Sequence, residues 1–173
     1  MRFHPVLRPA RLLVLAALLG AAAGGSQAQA LPPGVRLGMT GEELLAVLPG
    51  LERVQRPQRL AGGVAGLWRG APAPIGGLVF EPVYYLAGGQ LRRVEWASAA
   101  LPAPDLAAAA FADLVAWGRG QFGPELASND PGSHYAAWVQ GDVDVYAQRL
   151  DNARGASVRL VYKGRQLKDA SEL

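Results

Sequence analysis

Polar and apolar residues alternate along two stretches near the C-terminal end of the chain. Their apolar members are Val143, Val145 and Ala147 in the first stretch and Val158, Leu160 and Tyr162 in the second. In a β-strand, such alternation puts one side in the core and the other toward solvent. The pattern predicts strands over residues 134–140, 143–150 and 156–163, in an antiparallel sheet with one solvated side.

Two further β-rich runs, over residues 78–86 and 91–97, are separated by a short glycine-containing turn. Runs joined in this way predict a hairpin. Pro82 has no backbone N–H to donate, so we expect an unpaired side or a bulge in the first strand.

The first predicted helix follows residue 38 and carries a capping box. The Thr40 hydroxyl can accept a hydrogen bond from the amide of Glu43, whose carboxylate reaches back to the Thr40 amide. Leu44, Val47 and Leu48 then share one face, and Pro49 follows immediately. Proline cannot continue a helix, so this element is expected to be short.

A second helix is predicted from residue 105, with Asp105 as its cap and an end at Gly123. Its apolar stripe consists of Phe111, Leu114, Val115, Gly118 and Phe122. Each helix is followed by strands, which indicates an α+β fold. The expected organisation is two helix-plus-antiparallel-sheet units, over residues 31–98 and 105–163, with a polar tail over residues 164–173.

The first thirty residues are typical of an export signal. Arg2, Arg8 and Arg11 precede a twelve-residue apolar run over residues 12–23, and small residues then lead to Ala28-Gln29-Ala30. This order of basic, apolar and small residues predicts a signal peptide over residues 1–30, cleaved between Ala30 and Leu31. The apolar run is shorter than the roughly 20 residues of a membrane span.

Removal of the signal changes the charge of the protein. The whole chain has 17 basic and 14 acidic residues, and residues 1–30 contain three of the basic residues and none of the acidic ones. The mature chain would therefore have no net charge, which argues against nucleic-acid binding. The chain has no cysteine, so neither a disulfide framework nor a thiolate zinc site is expected. A lipid anchor on cysteine is excluded for the same reason.

The pattern Gly38-Met39-Thr40-x-x-Glu43-x-x-x-x-Leu48-Pro49-Gly50 resembles the opening helix of small outer-membrane assembly lipoproteins of the SmpA/OmlA type. It is also similar to the repeat unit of the β-lactamase-inhibitor-protein-like fold. The resemblance implies a helix packed on an antiparallel sheet, and binding of a protein through the sheet face or the loops. Those lipoproteins carry a lipidated cysteine that this chain lacks, so membrane tethering is not expected.

The residues that could form a catalytic, metal or phosphate site each also have a purely structural interpretation. His134 is the only histidine after residue 30, and Ser133 beside it would point to the opposite side of a strand. Asp130 is a candidate to orient the His134 ring. Asp142 and Asp144 form a pair that either holds a hard cation or serves as a turn residue and a solvated strand residue. The glycine pairs match no phosphate-binding loop and are interpreted as turns.

The aromatic residues of the predicted strands have two interpretations. They fill the core between sheet and helices, or a few of them line an exposed sheet face, since Trp, Tyr and Arg are favoured interface anchors. The candidate interaction face is Arg92, Arg93, Trp96 and Trp138. We expect no catalytic residues, cofactor or metal.

Together these features predict an exported, periplasmic protein that binds another protein of the cell envelope, as an accessory, adaptor or inhibitor without catalysis. The alternative is a periplasmic carrier of a small ligand, or an enzyme, that uses an aromatic sheet face as its pocket.

N-terminal sequencing of the exported protein tests the predicted processing. Cleavage after Ala30 gives a chain that begins Leu31-Pro32-Pro33, because the small residues at positions 28 and 30 fit a signal peptidase. An exported chain that begins at Met1 would contradict this prediction.

Overall fold

The computed structural model describes residues 31–126, 134–152 and 155–165, and these form two α-helices and eight β-strands. The helices are α1 (Gly41–Val47) and α2 (Pro104–Phe122). The first five strands are β1 (Glu52–Arg53), β2 (Ala65–Arg69), β3 (Ala73–Ile75), β4 (Leu78–Ala87) and β5 (Gln90–Ser98). The last three are β6 (Tyr135–Gln140), β7 (Val143–Asn152) and β8 (Gly155–Gly164).

All eight strands belong to one antiparallel sheet, so the α+β prediction is confirmed. The strand order is β1-β2-β4-β5-β8-β7-β6, and β3 pairs with β4 beyond the end of β2. The sheet is continuous across the middle of the chain because β5 pairs directly with β8, for example Val94 with Tyr162.

Both helices pack on the same face of this sheet and share one core with it. Leu44 of α1 and Leu114 of α2 are almost completely buried, and both belong to the apolar cluster that contains Val94, Leu160 and Tyr162. The predicted alternation of β7 and β8 is confirmed, since Val145, Ala147, Val158, Leu160 and Tyr162 are all buried. Burial of this apolar surface is the main stabilising contribution to the fold.

Trp138, a fully buried aromatic residue of the core, has a polar partner at the end of α2. Trp138 is 1% exposed, and its indole Nε1 donates a 2.9 Å hydrogen bond to the carbonyl of Gly123, just after α2. The Phe122 ring lies 5.7 Å from that of Trp138. The indole hydrogen bond avoids the cost of a buried unpaired donor and fixes the end of α2 against β6.

The predicted local features of the first half are confirmed. In α1 the Glu43 amide donates to the Thr40 hydroxyl (3.2 Å), and the Thr40 amide donates to the Glu43 carboxylate (2.7 Å). Strands β4 and β5 form the predicted hairpin, with a register shift at Tyr85/Leu86. Pro82 lies between the part of β4 that pairs with β3 and the part that pairs with β2. Its carbonyl accepts a 3.0 Å hydrogen bond from the Gly70 amide, and its missing N–H falls in this interruption of the ladder.

The predicted helix cap at Asp105 is wrong. Helix α2 begins at Pro104, and its N-cap, Ala103, makes no side-chain hydrogen bond. Proline at the first position has a φ suited to the helix and lacks an N–H that would be unpaired there. Asp105 instead lies in the first turn, where its charge suits the helix dipole. The predicted signal peptide and tail residues 166–173 lie outside the described residues.

A pair of glycines in α2 tests the packing of this helix. A Cβ at Gly118 would lie 2.5 Å from Trp138 Cη2, whereas a Cβ at Gly120 would meet nothing within 4 Å. Alanine raises helix propensity equally at both positions. Gly118→Ala should therefore be less stable than Gly120→Ala by about 1–3 kcal/mol, the cost of overpacking a core. Urea unfolding of both variants measures this difference, and equal stabilities would refute the tight contact between α2 and β6.

Candidate interaction face

The side of the sheet opposite the helices carries an unusual set of polar and aromatic residues. We call it the helix-free face, because neither α-helix of the described residues packs on it. Strand alternation and register assign to it Val79, Glu81, Val83, Tyr85, Arg93, Glu95, Tyr135, Ala137, Asp144, Tyr146, Gln148, Arg159, Val161 and Lys163. At its centre Val161 is fully buried and Glu95 is 9% exposed, so the neighbouring side chains exclude most of the water there.

Glu95 holds the centre of this face together. Its Oε2 accepts hydrogen bonds from Arg93 Nε (3.2 Å) and Nη2 (2.5 Å) on the same strand. Its Oε1 accepts from Arg159 Nη1 (3.4 Å) on β8, across the β5–β8 pairing. A carboxylate this deeply buried needs such cationic partners to offset the loss of hydration.

Arg93 lies between two tyrosines. Its guanidinium carbon is 5.7 Å from the ring centroids of Tyr85 and of Tyr146, and Nη1 donates a 2.8 Å hydrogen bond to the Tyr146 hydroxyl. Burial, followed by the negative charge of Glu95, raises the pKa of Tyr85 to about 12. Tyr85 therefore stays neutral and donates a 2.8 Å hydrogen bond to Gln58, in the segment between β1 and β2. These contacts fix the orientation of Arg93.

Arg159 contacts the neutral side chain of Gln148 in addition to Glu95. Its Nη2 and Nε donate to Oε1 of Gln148 at 2.7 and 3.1 Å. Its side chain is 22% exposed, against 14% for Arg93. Arg159 is thus oriented on two sides and is the more accessible of the two arginines.

The periphery of the helix-free face is more exposed. Tyr135 on β6 is 39% exposed, and its ring lies 5.4 Å from that of Tyr146. Val79, near the start of β4, is 62% exposed. Lys163 lies 3.9 Å from Asp144 and 6.0 Å from the Tyr146 ring. Tyrosine and arginine, the residue types that recur on this face, are enriched at protein interfaces.

The structure does not bring together the four residues of the predicted interaction face. Trp96 and Trp138 are buried in the helix-covered core, because they occupy the strand positions that face α1 and α2. Arg93 lies on the helix-free face, and Arg92 is exposed, with Nη2 donating to Gln90 at 2.6 Å. Of this set, Arg93 alone takes part in the network around Glu95. The core interpretation of the aromatics therefore applies to these two tryptophans.

Other candidate residues are scattered over the molecule. His134 Nδ1 lies 3.4 Å from Asp151, while Ser133 and Asp130 fall outside the described residues. Asp144 pairs with Lys163, and Asp142 lies in the turn before β7. Among the described residues no group of three or more His, Cys, Asp and Glu is arranged to hold a metal ion. The glycine pairs at residues 62–63, 76–77 and 88–89 have positive φ, as their interpretation as turns requires.

A separate groove of about 600 Å³ lies at the opening segment of the chain. Its walls are the segment over residues 35–39, together with Leu31, Glu43, Asp142 and Val143. The groove has both apolar and charged walls, and it shares no lining residue with the helix-free face.

Sequence reasoning did not find Glu95, Tyr146, Gln148 or Arg159 as a group. Alternation along β5 places Arg93 and Glu95 together, and alternation along β8 places Arg159 on the mixed side of that strand. To group these residues, one must know that β5 and β8 are neighbours in the sheet. Local sequence patterns do not predict the pairing of strands that lie far apart in the chain.

Comparison with protein-family models finds no match for this chain, and searches of curated proteins and of solved structures find none either. Within the described ranges, neither helix has the length and apolar character needed to cross a membrane.

Substitution of Glu95 tests the electrostatic account of this face. Glu95→Gln keeps the size of the side chain but leaves two half-buried guanidinium groups without their carboxylate. We expect a loss of about 2–4 kcal/mol in the free energy of unfolding, measured by urea titration. The matched control is Asp144→Asn, whose partner Lys163 is about half exposed and whose loss should cost less than about 1 kcal/mol. Equal effects of the two substitutions would contradict the central role of Glu95.

Proposed function

We propose that this protein is an exported, non-catalytic binding module of the bacterial cell envelope, and that it binds another protein through the helix-free face. The accompanying proposals are removal of residues 1–30 as a signal peptide and a periplasmic location of the mature chain. In this role the protein is an accessory, adaptor or inhibitor.

The observation that carries the proposal is the oriented Arg93–Glu95–Arg159 network at the centre of a broad face on which neither α-helix packs. Binding costs less when the contacting side chains are already held in place, because little conformational entropy remains to be lost. Arginine and tyrosine are the residue types enriched at energetically important interface positions. Tyr135 and Val79 add exposed aromatic and apolar surface around that centre.

We further propose that residues 31–98 and 105–163 are two related helix-plus-sheet units, as in the β-lactamase-inhibitor-protein-like fold. Two features support this proposal. Each segment contributes one helix followed by antiparallel strands, and the units meet through the pairing of the last strand of one, β5, with the last strand of the other, β8. In that arrangement the helix-free face extends over both units.

A second candidate function is transport of a small ligand. The groove of about 600 Å³ at the opening segment has a volume in the range of known ligand sites. Native mass spectrometry of the protein purified from the periplasm would reveal a retained small molecule as a discrete added mass.

Site-specific photocrosslinking in cells tests the main proposal. A photoreactive phenylalanine analogue replaces Tyr135 or Val79 on the helix-free face, and the matched control replaces Leu106, which is 53% exposed on α2. We expect one discrete envelope-protein adduct at Tyr135 and Val79 and none at Leu106, because the crosslinker reacts only with adjacent molecules.

Adducts at Leu106 with none at the other two positions would place the interaction surface on the helices and contradict the proposal. The absence of adducts at all three positions, across several growth conditions, would contradict protein binding and favour the small-ligand alternative.

A further inference from the structure

The centre of the helix-free face has one more positive charge than negative charge. The network contains the guanidinium groups of Arg93 and Arg159 but only one carboxylate, that of Glu95. Its other hydrogen-bond acceptors, Gln148 and the Tyr146 hydroxyl, are neutral. A partner that covers this centre would remove water from an uncompensated charge, which is costly unless the partner supplies an anion.

The neighbouring acidic residues of this face are already paired. Asp144 lies 3.9 Å from Lys163, and Glu81 lies 3.4 Å from Arg69, which also contacts Glu52 at 3.2 Å. Among the described residues, none of these makes an ion pair with Arg93, Glu95 or Arg159. The unbalanced charge therefore belongs to the Arg93–Glu95–Arg159 network.

Arg159 is the residue positioned to receive an anion. An arginine side chain has five N–H donors, and three of those of Arg159 are used within the described residues, one each on Nε, Nη1 and Nη2. One N–H on Nη1 and one on Nη2 thus have no hydrogen-bond partner there. A carboxylate can accept hydrogen bonds from these donors, and its single charge equals the surplus. A phosphate dianion would exceed it.

We infer that the helix-free face binds an acidic side chain of an extended protein segment, with its carboxylate on Arg159 and an apolar or aromatic neighbour on Tyr135. This inference rests on the proposed function and specifies the chemistry of the partner. Arg159, Gln148 and Tyr135 are aligned across β8, β7 and β6. The two contact points are two strand spacings apart, about 10 Å, which lies between the lengths that two and four residues of an extended segment cover.

Selection from a library of short random peptides displayed on phage tests this inference with the folded chain over residues 31–173. We expect the selected peptides to contain Asp or Glu, with an apolar or aromatic residue two or four positions away, because side chains at these spacings lie on the same side of an extended chain. The best peptide is then synthesised, and its affinity for the wild type and for variants is measured by fluorescence anisotropy.

Arg159→Gln should weaken binding about 10- to 30-fold, equivalent to about 1.4–2 kcal/mol, because it removes one partner of a hydrogen-bonded charge pair. Arg159→Lys retains the charge but loses the paired donors and should have an intermediate affinity. The matched control is Arg92→Gln, which removes an exposed arginine outside the network and should leave binding unchanged. Near-ultraviolet circular dichroism confirms that each variant retains its packed core.

Selected peptides without acidic residues, or binding that Arg159→Gln leaves unchanged, would overturn the acidic-partner inference while leaving protein binding itself in place. Failure to select any peptide would overturn the inference too. If photocrosslinking at Tyr135 and Val79 also gave no adduct, the proposed function would fail with it.

Discussion

The antiparallel pairing of β5 with β8 unites the two halves of the chain in one sheet over one core. It joins strands that are far apart in the sequence, with Arg93 opposite Lys163 and Ala97 opposite Arg159. Closing so long a loop costs conformational entropy. That cost is offset on the helix-covered face, where Val94 and Leu160 are fully buried beneath the two helices. Without this pairing each half of the chain would expose an open sheet edge and half of a core.

The same pairing creates the polar centre of the opposite face. Glu95 comes from β5 and Arg159 from β8, so their contact at 3.4 Å exists only when the two strands are in register. Buried ion pairs add little net stability, because desolvation offsets most of the attraction. The penalty for a mismatched register is nevertheless large, since it would leave buried charges unpaired. The network thus specifies the register of the sheet and, in the proposed function, presents an oriented guanidinium to a partner.

Features set by residues close together in the sequence could be predicted. The capping box of Thr40 and Glu43, the β4–β5 hairpin and the alternation along β7 and β8 each follow from local patterns. The cap at Asp105 was predicted incorrectly because the helix begins one residue earlier, at Pro104, whose fixed φ favours the first helical position. The candidate face combined Arg93 with Trp96, although an odd sequence separation puts them on opposite sides of one strand. The contact of Glu95 with Arg159 required the strand order, which the sequence pattern does not contain.

Through the β5–β8 pairing, we expect the described residues to unfold as one cooperative sheet. Native-state hydrogen exchange of the β5 and β8 amides measures this cooperativity, because exchange reports the free energy of the opening that exposes each amide. The paired amides of residues 93–97 and 159–163 should exchange only through global unfolding, with the same free energy as the core of β4 and β7. Exchange of the β5–β8 amides at a distinctly lower free energy, while β4 and β7 stay protected, would instead show two independently stable halves.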